Sequence, residues 1–292
     1  MFIIKAKINE KFDLGFFAVS IENRAIVCYN GLSYIEKIFF KEAKAVKKIN
    51  VVVWNEFRHE RTKEKIKAIY PEGLHAVIKS FLDVNEDMEV SLAALDDPDQ
   101  GLPDERLEKT DVLIWWGHIA HGEVNDELVA KIQKRVYEGK MGFVALHSAH
   151  HSKPFRQIVG TNGNLSWGRN QKEIMWTLMP SHEIAAGIPD HFLIEEEELY
   201  SEPFYIPQPD ALVFGGWYED GHIMRSGACF HRGAGKLFYF QPGHEECRAL
   251  YNPHVQRIIT NAVRWAKPIE LGYEIPEGAP KVHEPIINEF NK

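Results

Sequence analysis

Cysteine is scarce in this 292-residue chain, with only Cys28, Cys229 and Cys247, all far apart or isolated. An odd, unpatterned set supplies neither a disulfide framework nor a zinc ribbon, and a reducing cytosol is the expected compartment. No apolar run reaches the roughly 18 residues of a membrane span. The N-terminus shows no basic–apolar–small-residue secretory pattern, because residues 16–20 are short and flanked by charge. Positive charge is in deficit: 34 Lys+Arg against 42 Asp+Glu leave a net charge of −8. That balance argues against a nucleic-acid-binding surface. Neither a nucleic acid nor a membrane is an expected partner. Internal repeats and low-complexity tracts are also missing. The surplus is histidine, with 14 residues. Hydrophobic content of 45% and aromatic content of 12% exclude wholesale disorder. The length suits one large α/β domain or two smaller ones.

Charge is unevenly spread. Residues 1–48 hold nine Lys/Arg and five Asp/Glu, so the acidity lies in the remainder. This head has β-like pieces at 16–20 and 25–29 and a basic stretch at 37–48. It reads either as a small appended unit or as an extension upstream of a functional chain that begins near Ile49.

From Ile49 the pattern clears. Residues 49–54 (INVVVW), 111–116 (DVLIWW) and 141–146 (MGFVAL) are apolar runs of the kind that form strands buried on both faces, and 88–95 reads as a further strand. Between them, 71–83 carries Leu74, Val77, Ile78, Phe81 and Leu82 in a helical stripe, with Pro71 suited to the first turn. A short helix is expected at 104–107. Residues 125–138 carry Leu128, Ile132 and Val136, with Asn125 as cap and Gly139 as stop. Strands alternating with helices predict a parallel, doubly wound sheet covered on both faces. The second half is richer in strands, expected at 173–178, 192–199, 211–217, 224–231 and 236–240. A final helix is expected at 253–266, stopped by Pro268. Residues 268–292, rich in Pro and Glu, read as a surface or partner-reaching arm.

In such a sheet, ligands bind beyond the carboxyl ends of the strands. Seven histidines fall there: His59 after the first strand, His118 and His121 after the third, His147, His150 and His151 after the fourth, and His244 after 236–240. Each has a plainer explanation. His59 between Arg58 and Glu60 suits a solvated turn. The H-x-x-H of His118 and His121 lies between Gly117 and Gly122, so it reads as loop rather than helix. His147 stands at a small-residue elbow, the place where α/β enzymes display a nucleophile. Its neighbour Ser148 is more simply a hydroxyl satisfying local backbone. Of His150 and His151, one is expected to be functional and the other solvent-facing. His244 precedes two carboxylates, an arrangement suited to a base or a metal ligand. In the acidic run 195–198, strand alternation points two of the four inward. Tryptophans such as Trp167 and Trp217 suit stacking on a sugar ring, whereas Trp54 and one of Trp115/Trp116 read as core.

At these residues the chain resembles the trehalose-utilisation (ThuA-like) proteins over 49–267. The matching pieces are Arg58-His59 after a buried strand and Gly142-Phe143-Val144-Ala145-Leu146-His147-Ser148-Ala149. His182 with Gly187-Ile188-Pro189, then Glu198-Leu199-Tyr200, and Gly235-Lys236-Leu237-Phe238-Tyr239 leading to Gly243-His244 complete the set. The resemblance implies a three-layer, flavodoxin-like, mostly parallel α/β sheet of the class I glutamine amidotransferase-like type. That wider superfamily places cysteine at the elbow and a His-x-Glu pair later. Here the pair survives in form as His244 and Glu246, but His147 replaces the cysteine, so glutaminase activity is not expected.

The expected activity is on a sugar or keto-sugar glycoside of disaccharide utilisation, with no nucleotide cofactor. His147, His244 and Glu198 are the expected catalytic groups. His59, His118, His121 and His147 are the expected ligands of a divalent metal such as zinc. Glu56, Arg58, Ser148 and Trp167 are the expected substrate contacts. A homo-oligomer is compatible with the arm. A non-catalytic carbohydrate-binding protein and, below it, a serine hydrolase using Ser148 and His244 are the competing readings.

Overall fold

The computed structural model describes residues 47–269, together with the backbone of three segments before them. The chain divides into two compact units, 1–47 and 48–292. In the first, β1 (Lys7–Phe12), β2 (Phe16–Ile21) and β3 (Arg24–Tyr29) form an antiparallel sheet in sequence order. Two of these strands match the β-like pieces of the head. The basic stretch up to residue 46 and the arm beyond residue 269 lie outside the described residues.

The second unit begins with β4 (Ile49–Asn55), whose apolar run is buried along almost its whole length. Two short helices follow, α1 (His59–Thr62) and α2 (Glu64–Ile69), and then α3 (Leu74–Leu82). α3 starts three residues after Pro71, because Gly73 takes a left-handed φ of 89° that interrupts the chain there. Next come β5 (Met88–Ala94), α4 (Asp104–Lys109) and β6 (Val112–Trp116). α5 (Asp126–Tyr137) starts where Asn125 accepts the Glu127 N–H, and Gly139 turns the chain with φ 70°. β7 (Gly142–Leu146) leads to α6 (Lys153–Val159), capped by Ser152.

The remaining strands are β8 (Ser166–Thr177), β9 (His191–Ser201), β10 (Ala211–Tyr218), β11 (Ile223–Arg232) and β12 (Gly235–Phe240). α7 (Pro253–Ala266) closes the unit.

These strands form one nine-stranded sheet in the order β5-β4-β6-β7-β12-β11-β10-β8-β9. The first five are parallel. Numbered within themselves they run 2-1-3-4-5, the flavodoxin order. Every pairing beyond β12 is antiparallel. The sheet is therefore mixed, not mostly parallel. No α-helix lies between β8 and β12, and β10, β11 and β12, which follow one another through short turns, pair antiparallel.

Side chains alternate across the parallel strands. Val51, Val53, Ile114, Trp116, Val144, Leu146, Phe238 and Phe240 pack with Leu74, Ile78 and Leu82 of α3 and with Val255, Ile258, Ile259 and Val263 of α7. Val52, Trp54, Leu113, Trp115, Phe143, Leu237 and Tyr239 face Leu107, Leu128, Ile132, Val136, Phe155 and Ile158 of α4, α5 and α6. Helices thus cover both faces, and each buried aliphatic side chain contributes about 1.5–3 kcal/mol. Trp54 and Trp115 stack with ring centroids 3.7 Å apart.

Gly142 lies directly under α7. A Cβ there would come within 2.2 Å of the Ala266 carbonyl oxygen. Gly142→Ala is therefore expected to destabilise the protein by about 3 kcal/mol, read as a lower urea midpoint with unchanged slope.

His75 on α3 is buried against Phe57 and beside Asn55. Burial lowers its pKa to about 4. The unfolded chain takes up this proton near the ordinary value of about 6.5, before the folded protein does. Stability should fall as pH drops from about 6.5 towards 4, and His75→Gln should make that slope shallower in denaturant titrations.

Candidate metal centre

The parallel strands end side by side, and their following loops meet. Each loop is anchored differently. After β4, Glu56 is buried and turns back. Its carboxylate accepts the N–H groups of His118 (2.7 Å), Ile119 (2.9 Å) and Ala120 (3.0 Å). Glu56 thus holds the loop after β6 that carries His118 and is no free substrate contact. Next to it, the buried Glu60 accepts from Asn55 Nδ2 at 2.7 Å and from the first amide of α3 at 3.1 Å, fixing the helix that bears His59.

After β7, His147 sits at an elbow with φ 50°, a left-handed conformation that is strained for a side chain with a Cβ. Its Nδ1 lies 3.0 Å from the Gln241 carbonyl, so that nitrogen carries the proton and Nε2 presents its lone pair. This is the usual orientation of a metal-ligating imidazole. After β12, the Trp116 indole donates to the Gly243 carbonyl at 3.0 Å and holds the loop bearing His244.

The fourth contribution comes from the far end of the antiparallel half. β8 and β9 are paired with register shifts on either side of Asn170 and Gln171. One extra residue on β9, at Glu195 and Glu196, breaks the inside–outside alternation. Both side chains are exposed, and the next two, Glu197 and Glu198, turn inward together. Glu197 accepts the N–H groups of Gly243 (2.8 Å), Glu198 (3.0 Å) and His244 (3.1 Å). Burial pushes its pKa up to about 7, against the pull of His147 and of these amides. Gln241 Nε2 donates to the Glu198 carbonyl at 3.1 Å, a second tie between β9 and the β12 loop.

Among the described residues, two groups have the donor types and spacing to hold a cation. The first is His118, His147, Glu198 and His244, and the second is His59, His118 and Glu245. In each, the ligand atoms all lie within 4.8 Å of one another. In the first group Glu198 Oε2 is 3.2 Å from His147 Nε2 and 3.8 Å from His244 Nε2. Zinc bonds of about 2.0–2.1 Å place tetrahedral donors roughly 3.4 Å apart, so little contraction is needed. Glu198 Oε2 makes no hydrogen bond, and neither do His118 Nδ1 or Glu245 Oε2, although all three are buried. Unsatisfied polar atoms of this kind are costly and fit an ion that is to be bound.

Electrostatics differ from group to group. Burial lowers His244 to about 4, His147 adding to the effect. Burial lowers His118 as well, the charge of Glu245 opposing it. For His147, burial is outweighed by the neighbouring Glu198 and Glu197 carboxylates, and its pKa rises. For Glu245, burial is outweighed by the His59 imidazole 2.6 Å away and the other nearby imidazoles, and its pKa falls. Tyr200 stacks on His147 at 4.6 Å with its hydroxyl 3.2 Å from Nε2, and burial keeps that hydroxyl protonated.

The expected residues divide accordingly. His59, His118, His147, His244 and Glu198 come together. His121 lies in neither group. Its ring meets His151 edge-on, and burial lowers its pKa to about 3. His150 and His151 also stay outside, since His150 packs against Phe204 and Tyr239 and contacts the Gly163 carbonyl, while the exposed His151 contacts Asn164. Ser148 donates to the Gly117 carbonyl at 2.7 Å, a backbone tie without a histidine base. Arg58 is paired with Asp96 and Glu123, each at 2.8 Å. Trp167 is 75% exposed and pairs across strands with Tyr200, so it lies on the same face one strand away.

The His-x-Glu pair is corrected. Glu246 points to Lys65 at 2.8 Å, and it is Glu245 that approaches His244 Nε2, at 3.4 Å. Glu245, Glu197 and Tyr200 were not among the expected site residues. The carboxylates directly after His244 and the inward pair of the acidic run were the available signals.

Removing the Glu56 carboxylate strands three amides, each costing on the order of 1–3 kcal/mol. Glu56→Ala should therefore lower the thermal midpoint and also loosen His118, weakening zinc binding at least tenfold in competition with a chromophoric chelator.

No curated protein sequence matches the chain. Solved structures show the same fold at low identity. A ThuA-like protein from Parabacteroides merdae has TM-score 0.59 and 14% identity, covering 79% of this chain and 94% of its own. A ThuA-like protein from Bacteroides uniformis has TM-score 0.55 and 13% identity, covering 76% and 92%. A cytoplasmic protein from Salmonella typhimurium has TM-score 0.50 and 9% identity, covering 75% and 99%. The sequence model of the ThuA family, trehalose utilisation, matches residues 50–266, and the chain belongs to that family.

Proposed function

We propose that this chain is a metal-dependent enzyme of disaccharide utilisation, acting in the cytosol on a sugar whose most suitable form is a keto-sugar glycoside. One observation carries the metal reading. Four donor atoms from four separate elements converge within 4.8 Å, and one of them, His147 Nε2, is aimed by a hydrogen bond at its other nitrogen. The sugar reading rests on the family, since fold alone does not specify chemistry.

His118, His147, His244 and Glu198 are the residues that would hold the ion. Neutral imidazoles with one carboxylate suit zinc or a similar divalent metal. When bound, such an ion polarises a carbonyl or activates water. The chain's own groups do the rest. Glu197 and Glu56 keep the two ligand-bearing loops in place through backbone amides. Tyr200, held protonated by burial, offers its hydroxyl at the centre and can give a hydrogen bond or a proton to a substrate oxygen. Trp167 offers an exposed indole as a stacking surface for a sugar ring. A thiolate route is disfavoured: burial pushes the Cys229 and Cys247 thiols up, and the elbow carries an imidazole.

Protein purified without a histidine tag should contain a divalent metal, and His147→Ala should abolish its retention on dialysis. Turnover of the 3-keto derivative of trehalose should require that metal. Binding of the sugar without product would instead favour a non-catalytic carbohydrate-binding role. Tyr200→Phe should keep the metal and lower kcat about 10²-fold or more with little change in KM, as expected for loss of a proton donor.

A further inference from the structure

We infer that the centre has two adjacent cation positions, the second formed by His59, His118 and Glu245, with the Glu245 carboxylate lying between them. This deepens the metal reading above and rests on it.

The geometry centres on Glu245. Its Oε1 faces His59 Nδ1 at 2.6 Å and His118 Nδ1 at 3.6 Å. Its Oε2 faces the other way, 3.4 Å from His244 Nε2, and has no hydrogen-bond partner although it is buried. One oxygen thus belongs to the second group and the other borders the first. His118 is common to both groups, with its ring centroid 5.1 Å from His59, 6.1 Å from His147 and 5.9 Å from His244, and its imidazole serves one ion at a time: with both positions filled, its Nδ1 beside Glu245 goes to the second, and the first keeps His147, Glu198 and His244. A carboxylate with its oxygens turned towards different imidazole sets is the arrangement that would let one residue serve two neighbouring ions.

Charge supports this. Glu198 and Glu245 both bring a carboxylate into the centre, each with a buried oxygen that lacks a hydrogen-bond partner. Glu197 lies behind them, satisfied by backbone amides. Buried carboxylates at such density are tolerated when cations sit among them. His59 Nδ1 and Glu245 Oε1 face each other at 2.6 Å, and His59 Nδ1 is buried without a hydrogen-bond partner, as a nitrogen that would take a cation is. The two-ion arrangement would bind both the attacking and the departing oxygen of a hydrolysed or transferred group, which suits a glycoside.

The test is the stoichiometry of zinc and manganese uptake by the full chain, purified without a tag and stripped by chelator. The wild type should bind two equivalents of zinc. His59→Ala and Glu245→Gln should each bind one, with circular dichroism confirming that both variants fold. Manganese-loaded wild type should show a spin-coupled electron paramagnetic resonance spectrum. His59→Ala should revert to the isolated six-line signal. A wild type that binds a single equivalent, kept undiminished by His59→Ala, would overturn the second position and leave the first intact. Two equivalents in both proteins would also overturn it, since the second ion would then lie elsewhere. Failure of the wild type to bind any zinc would overturn both readings.

Discussion

Two buried carboxylates hold the centre together without belonging to either cation group. Glu56 and Glu197 each accept three backbone N–H groups, one set in the loop carrying His118 and the other largely in the loop carrying His244. Loops at the ends of strands otherwise leave such amides to water. Gathered on a buried carboxylate they become rigid, because releasing them would cost several unsatisfied groups at once. The imidazoles are thereby placed before any ligand arrives. Reorganisation on binding is then small, which is the physical meaning of a preformed site.

The sheet supplies the convergence. Its parallel half runs 2-1-3-4-5, so the crossover between β4 and β6 is a switch point where the flanking loops diverge. His59 and His118 flank that crevice. His147 and His244 follow the next two parallel strands. The antiparallel half adds a long strand, β9, whose Glu197 and Glu198 both reach His147 just past a register shift at residues 195–196. The mixed sheet is therefore part of how the centre is assembled, since β9 supplies both of these carboxylates.

His147 shows how the fold has been used. The elbow that presents a nucleophile in related architectures is kept, along with its left-handed backbone. An imidazole at that spot, with Nδ1 tied to a carbonyl, has the orientation that the proposed metal-ligand role requires rather than that of an attacking group. Cys247 lies nearby with its sulfur 3.6 Å from His244 Nδ1, and burial keeps it as a thiol. The neighbourhood stabilises neutral sulfur and neutral imidazole, which is the wrong electrostatic setting for thiolate chemistry.

Much of the parallel core was legible in the sequence, because strands buried on both faces have continuous apolar runs and the helices between them have clear stripes, caps and stops. The clustering of His59, His118, His147 and His244 followed from the same reading, since position at a strand's carboxyl end is a local property. What tertiary structure alone decided was which polar groups face the centre. Glu56 reads as a substrate contact until its three amide donors, 62 to 64 residues away, are in place. His121 is only three residues from His118, yet a turn takes it elsewhere. Glu245 takes the place expected for Glu246, and the bulge in β9 sets which two of four glutamates turn in. Each of these depends on loop direction and strand register, set by contacts distant in sequence, and a pattern of residue types along the chain carries no record of them.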